Sequence, residues 1–179
     1  MPISTVGEVF PMDICYINPF IKSIRNTFAT MCKMKVEVGR PQIKVDDKPY
    51  SDVSSVIGFS GDAAGSVVLH FSFEVASKLA TAFAGVPISP DHEDFPDALG
   101  ELANMVAGGA KANFEGLAIS VSLPSIVMGA RHRVSASRTA PRIIIPCTTE
   151  AGEFNVEIGM EVGKPATIAD AVTHAGVDL

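Results

Sequence analysis

The sequence lacks the features that mark several common classes of protein. Its three cysteines, Cys15, Cys32 and Cys147, are widely spaced and odd in number, so neither a disulfide framework nor a CxxC metal site is indicated. No apolar run approaches the roughly eighteen residues that span a bilayer, and the first residues do not resemble a signal peptide. We therefore expect a cytoplasmic protein with buried, reduced thiols and no membrane partner.

Positive charge is also scarce. Lys and Arg total 14 against 20 Asp and Glu, a formal net charge of −6, which argues against a nucleic-acid partner held by phosphate neutralisation. One dense basic cluster falls in a predicted loop and is interpreted as solvated: Arg131, Arg133, Arg138 and Arg142. The four histidines show no metal-ligand spacing, and neither a phosphate-binding loop nor a Ser-His-Asp triad can be assembled from the sequence.

The length and a 47% hydrophobic content predict one globular domain with a sizeable core. Periodicity and capping residues predict a helix over 18–34, a short helix over 74–84 closed by Gly85, and a third from about 96 towards 114. Alternating patterns predict about six strands, the first of them interrupted: 35–45, 53–59, 66–73, 117–128, 142–148 and 153–161. A hairpin loop is predicted at 60–65, and a last short helix at 164–174.

The third helix carries the most informative pattern. Asp97, Glu101 and Asn104 stand at i, i+4 and i+7, which at about 100° per residue keeps them within a sector of roughly 60°. The other faces carry apolar residues that are expected to meet a core: Leu99, Leu102, Ala103, Val106 and Ala107. Gly100 and Gly108 each cost a helix about 1 kcal/mol relative to Ala. They indicate close approach, either by a partner or neighbouring helix, or by the protein's own sheet.

This pattern resembles the signature of the CheC/CheX/FliY phosphatases of bacterial chemotaxis. That signature is an Asp or Ser four residues before the Glu of Glu-x-x-Asn, with a proline some twenty residues later, here Asp97, Glu101, Asn104 and Pro124. The segments 17–22 and 54–66 resemble the CheX branch in particular, and the resemblance covers roughly residues 12–161. It implies a single CheX-like domain over residues 1–179, with its core at about 12–161 and a short helix or tail at 162–179.

The resemblance also implies an α+β fold. In this fold a mostly antiparallel sheet of about six strands carries two long helices packed together on one face. The predicted elements appear doubled, as helix, three strands and short helix, twice over, which agrees with the family's internal pseudo-two-fold repeat. In the first long helix, Ser23 and Asn26 then correspond to Glu101 and Asn104, so the glutamate is missing and one active face is expected. The family would also start this helix near residue 13, with Pro19 inside it.

The family hydrolyses the aspartyl phosphate of the response regulator CheY. An amide suits this reaction because Asn104 can orient an attacking water and, being neutral, is not repelled by the phosphoryl group. By resemblance, Glu101 pairs with the active-site lysine of the receiver domain. A magnesium ion belongs to that receiver, so no cofactor or metal of the chain's own is expected. Asp97 is favoured as a helix cap and dipole partner.

Other interpretations remain open. The same fold could bind a receiver or a flagellar-switch component without turnover, or act as a small-ligand sensor with the basic loop 131–142 as its polar pocket. The CheX branch is dimeric, so a homodimer is implied, and the strand at 118–121 is expected near a sheet edge.

Overall fold

The computed structural model describes residues 14–45, 51–134 and 141–163. These residues form three α-helices, α1 (Ile14–Thr27), α2 (Phe73–Ala84) and α3 (Phe95–Ala112), and a π-helical turn, Phe28–Cys32, continues α1. They also form eight strands: β1 (Glu37–Val38), β2 (Gln42–Ile43), β3 (Ser51–Gly61), β4 (Ala63–Phe71), β5 (Ile119–Val121), β6 (Ser125–His132), β7 (Arg142–Thr149) and β8 (Gly152–Val162). Within the described ranges, none of the helices has the length and apolar character needed to cross a membrane.

The helix ends follow local chemistry. α1 begins at Ile14 and contains Pro19, so the start at residue 18 predicted from the Asn-Pro pair was wrong and the earlier start implied by the family is correct. The π-helical turn ends at Lys33, which adopts a left-handed conformation with φ 57°. α2 matches its prediction to within one residue. Ser72 caps its N-terminus, because its Oγ accepts a hydrogen bond from the backbone N–H of Val75. Gly85 caps its C-terminus in a left-handed conformation with φ 73°.

The strands form one antiparallel sheet in the order β1-β7-β8-β4-β3-β5, with β2 also on β7 and β6 also on β3. This order is symmetric about the β8–β4 pair. Each half supplies a long helix, a broken strand and a hairpin, and each broken strand pairs with the hairpin of the other half. The internal repeat is therefore visible in the topology. The helix predicted at 164–174 lies outside the described residues.

The sheet has eight strands because two predicted strands are each broken in two. Residues 39–41 separate β1 from β2, and the strand predicted over 117–128 divides into β5 and β6 around Pro124, which has no backbone N–H to continue a ladder. The β3–β4 hairpin is tighter than the predicted loop at 60–65, since only Asp62 separates the two strands.

All three helices contribute buried side chains to one apolar core with the sheet. On β4, Val67, Leu69 and Phe71 belong to this core, whereas the alternate residues face the other side. The two long helices pack together, as the family resemblance implied. They approach closely at Gly109, where an added Cβ would overlap Ser23 Oγ, and this hydroxyl donates to the carbonyl of Val106 at 2.7 Å.

Candidate active site

The polar face of α3 lies on the surface, as its spacing predicts. Glu101 and Asn104 are both exposed, while the intervening Leu102 and Ala103 are fully buried. The structure thus brings the two predicted site residues together on a helix that the core holds rigidly. The amide nitrogen of Asn104 lies 3.4 Å from Glu101 Oε2, a long and therefore weak hydrogen bond.

That contact orients the amide of Asn104. A carboxylate can only accept a hydrogen bond, so the atom facing Glu101 is the NH₂ group, an orientation assigned from the hydrogen-bonding partner. The carbonyl oxygen Oδ1 is then the acceptor of this side chain. An acceptor of this kind can hold one hydrogen of a water and direct its lone pair towards an electrophile.

Asp97 also lies on this face and is exposed, but it is not the helix cap. α3 starts after Asp94, whose side chain makes no capping hydrogen bond, and Asp97 lies within the first turn. The capping role predicted for Asp97 was therefore wrong, because the helix begins at Phe95, two residues before Asp97. A carboxylate in the first turn still interacts favourably with the helix dipole.

The proline of the motif packs directly on the motif helix. Pro124 lies between β5 and β6, and a Cβ added at Gly100 would be 3.3 Å from Pro124 Cγ and 3.7 Å from Ile126 Cδ1. Gly100 therefore lies in close contact with Pro124, and a larger side chain there would crowd the proline. Gly108, in contrast, is exposed, and an added Cβ there would meet nothing within 4 Å. Packing within the protein itself therefore accounts for Gly100, whereas no contact among the described residues accounts for Gly108.

A cavity of about 480 Å³ adjoins Asn104 in the groove between α1 and α3. Asn26 of α1 is exposed and lines the same cavity. Ser23, the counterpart of Glu101, is buried and bonded to the backbone of α3. The first long helix therefore offers an amide beside the cavity and no carboxylate, in keeping with the prediction of one active face.

Sequence reasoning missed a buried polar network on the sheet face opposite the helices. Glu157 is fully buried and accepts hydrogen bonds from Lys44 at 2.9 Å and from His70 Nε2 at 3.0 Å, and it forms an ion pair with Arg142. The other ring nitrogen of His70, Nδ1, lies 3.1 Å from the hydroxyl of Ser54. The sequence carried no distinctive signal, because Glu157 shares the outward phase of β8 with Glu153, Asn155 and Glu161.

This network joins a serine, a histidine and a glutamate, but it is structural. Ser54 and Glu157 are completely buried, so no substrate can reach the hydroxyl. His70 is itself buried, and its ring nitrogens are occupied by Ser51, Ser54 and Glu157. Burial alone would raise the pKa of Glu157, but hydrogen bonds from His70 and Lys44 and the charges of Arg142 and Lys44 hold it below its usual value.

The basic cluster at 131–142 is not simply a solvated loop. Arg142 belongs to β7, and its side chain is only 12% exposed beside Glu157. Arg131 belongs to β6, where its backbone N–H donates to Asp52 at 3.0 Å, and residues 135–140 lie outside the described ranges. Because Arg142 is committed to Glu157, the sensor hypothesis loses a cation that its pocket would need.

Across the described residues, no group of His, Cys, Asp and Glu could hold a metal ion.

Comparison with known proteins decides the family. The model of the family described as chemotaxis phosphatase CheX matches residues 53–148, from β3 through the motif helix to β7. The chain belongs to the CheX family. A chemotaxis protein CheX from Desulfovibrio desulfuricans is 33% identical, with a TM-score of 0.77 over 82% of this chain and 99% of that one.

Two further relatives of this CheX family member extend the comparison. The CheY-P phosphatase CheX of Thermotoga maritima is 27% identical over 156 residues, which is 85% of this chain and 99% of the relative. The Borrelia burgdorferi CheX–CheY–BeF₃–Mg²⁺ complex contains a chain of the same fold, 21% identical, with a TM-score of 0.70 over 83% of this chain and 99% of that one.

Proposed function

We propose that this protein is a phosphatase that removes the aspartyl phosphate of a CheY-like response regulator in chemotaxis signalling. The observation that carries the proposal is the exposed pair Glu101 and Asn104, held side by side on α3 in a member of the CheX family. The relative from T. maritima is named as a CheY-P phosphatase, and the B. burgdorferi relative was crystallised with CheY. The proposed substrate implies the cytoplasm as the site of action.

Asn104 is the residue proposed to act in the chemical step. An acyl phosphate is already activated, so the catalyst has to place a water in line with the phosphorus and tolerate the spreading negative charge. Asn104 Oδ1 would accept a hydrogen of that water, while the neutral amide avoids repulsion by the phosphoryl oxygens. The magnesium ion that neutralises those oxygens is proposed to come with the receiver, and this chain supplies no metal ligands in the proposal.

Glu101 is proposed to anchor the receiver. Its exposed carboxylate can form a charge-assisted hydrogen bond with the receiver's active-site lysine, a contact of roughly 1.5–3 kcal/mol. That contact would fix where Asn104 enters the receiver's active site. Because Glu101 also accepts the weak bond from the amide of Asn104, docking and orientation of the amide would be linked.

The test is phosphate loss from CheY charged with acetyl phosphate, measured with and without this protein. Asn104→Ala should lower kcat by about 10²-fold or more, since misplacing the reacting groups costs that much, and should leave receiver affinity nearly unchanged. Glu101→Gln should chiefly raise KM. A double Glu101→Ala, Asn104→Ala protein that still accelerates dephosphorylation would disprove the assignment to this helix.

The same assay separates the enzyme from a non-enzymatic binding module. A module would bind the receiver, stabilised by beryllium trifluoride and Mg²⁺, yet leave its dephosphorylation rate unchanged. The exposed amide beside Glu101 favours the enzyme, because a surface that only binds has no need for an amide that can orient water.

We also propose that the protein forms a homodimer through the β5–β6 end of the sheet. β5 is the last strand in the order, pairing with β3 alone, as the sequence predicted for 118–121. The adjoining segment exposes Leu123 (87%), Val127 (40%) and Met128 (46%), an apolar group that a second copy could bury. Light scattering should give twice the chain mass, and Leu123→Lys should shift it towards the monomer. A monomer in the wild type at micromolar concentration would remove the proposal.

A further inference from the structure

α1 carries a charge opposite to that of the chain as a whole. From Ile14 to Cys32 there is no Asp or Glu, although the net charge of the protein is −6. The exposed side of this segment presents Lys22 and Arg25, and Lys33 follows the π-helical turn. The segment before α3 and the first two turns of that helix are instead negatively charged. They expose five carboxylates: Asp91, Glu93, Asp94, Asp97 and Glu101.

The exposed residues of this segment share one face of α1. Lys22, Arg25 and Asn26 stand at i, i+3 and i+4, whereas Lys33 lies beyond the π-helical turn in a left-handed conformation. We call Lys22, Arg25 and Asn26 the basic face of α1. The residues that alternate with it, such as Ile24 and Phe28, are completely buried, so the basic face is held in place by the core.

The basic face is continuous with the candidate active site. Lys22 and Asn26 line the 480 Å³ cavity that Asn104 also lines. The same two residues, with Arg25, line a second cavity of about 1040 Å³ that extends along most of α1. A groove therefore runs from Asn104 across the seam between the two helices and along α1.

Lys22 is positioned across that seam. Its ammonium group donates to Asn113 Oδ1 at 2.8 Å, and Asn113 in turn donates to the carbonyl of Gly109 at 2.6 Å. The cation is thus fixed near the end of α3, so less side-chain entropy is lost when a partner binds it. Asn113 lines both cavities and marks the point where they meet.

We infer that the basic face of α1 is a second part of the docking surface for the receiver and binds an acidic patch on that domain. The inference rests on the proposed function. Glu101 takes a positive group of the receiver, while Lys22 and Arg25 take a negative patch beside it. A surface with both signs fixes the orientation of its partner, because turning the partner around would bring like charges together. The phosphoryl group stays at Asn104, and the basic face acts on affinity.

The experiment compares charge-reversed proteins in the dephosphorylation assay. Lys22→Glu, Arg25→Glu should raise KM for phosphorylated CheY about tenfold or more, with kcat changed less than about twofold, since exposed charges act mainly on association. The wild-type KM should rise with ionic strength, and the variant should lose most of this dependence. Lys22→Gln, Arg25→Gln should fall between the two.

Lys78→Glu is the matched control. Lys78 is an exposed lysine of α2, paired with Glu74 one turn earlier and outside both cavities, so its reversal should leave KM within about twofold. A wild-type KM in both α1 variants, in a protein whose activity depends on Asn104, would overturn the inference and leave the proposed function standing. Absence of any Asn104-dependent activity would instead reject the proposed function. Direct binding to CheY stabilised by beryllium trifluoride and Mg²⁺ gives a second measurement, which must weaken in parallel with KM.

Discussion

Glu101 and Glu157 are the same residue type in opposite surroundings. Glu101 is exposed on α3, and its one hydrogen bond within the described part of the chain is the weak 3.4 Å contact from Asn104. Glu157 is fully buried on β8 and is surrounded by Lys44, His70 and Arg142. The carboxylate with every partner inside the protein is part of the fold, whereas the carboxylate left without strong partners is available to another molecule. In this protein the amount of internal bonding, and not the residue type, distinguishes a structural carboxylate from one that the surface leaves available to a partner.

The largest expected effect comes from removing the buried carboxylate. Glu157→Ala should lower the free energy of unfolding by about 3–5 kcal/mol, because Lys44 and Arg142 would be left as uncompensated charges in a buried site. Urea denaturation followed by circular dichroism measures the change. Glu157→Gln, which keeps the shape, should lose less, and a loss under about 1 kcal/mol for the alanine variant would show that the network is not structural.

Acid should weaken the same network. The pKa of Glu157 is lowered in the folded protein, so its contribution is fully present above the unfolded pKa of about 4.3 and is lost as the pH falls through the folded pKa. The urea midpoint of the wild type should therefore fall more steeply below about pH 4.3 than that of Glu157→Gln. Parallel curves for the two proteins would contradict the assignment.

Two neighbouring glycines of α3 sharpen the comparison at the helix seam. Gly109→Ala should destabilise the protein by about 1–3 kcal/mol, because its Cβ would overlap Ser23 Oγ and push α1 away from α3. Gly108→Ala meets no atom and should stabilise the protein by up to about 1 kcal/mol through helix propensity. Thermal melts of the pair measure both. Equal shifts in the same direction would mean that the seam is looser than the structure shows.

The smallest expected effect on stability is that of the exposed carboxylate. Glu101→Ala should change the free energy of unfolding by less than about 0.5 kcal/mol, since it removes one weak surface contact. Urea denaturation of this variant beside Glu157→Ala completes the comparison. A loss as large as that of the buried residue would place Glu101 among the structural groups.

The sequence predicted what depends on local periodicity. The face that carries Glu101 and Asn104 could be placed because helical spacing and the apolar residues between them leave one orientation. The apolar alternation of β4 likewise identified a strand with one side in the core. The family signature also identified Pro124, and the structure shows that this proline packs against Gly100 of the motif helix.

What the sequence did not predict depends on contacts between distant segments. The partners of Glu157 are Lys44, just after β2, His70 of β4 and Arg142 of β7. Two of them are more than 80 residues from Glu157 along the chain, and no local pattern brings them together. The contact between Pro124 and Gly100 of α3 is likewise one between distant segments. A Cβ added at Gly100 would contact Pro124 and Ile126, whereas one added at Gly108 would meet no atom within 4 Å. The positions of the two glycines along the helix do not reveal this difference, because it depends on the segments packed beneath α3.

The exchange of broken strands between the two halves constrains the order in which the protein can fold. β1 and β2 pair with β7, and Glu37 lies opposite Thr148, so the N-terminal half cannot complete its sheet until the C-terminal hairpin has been synthesised. Such distant pairings are costly to close and slow folding. Neither half is therefore expected to fold on its own as it leaves the ribosome, although each repeats the same plan. The duplicated architecture behaves as one cooperative unit, and a cut in the loop between α2 and α3 should yield two fragments that are structured only in each other's presence.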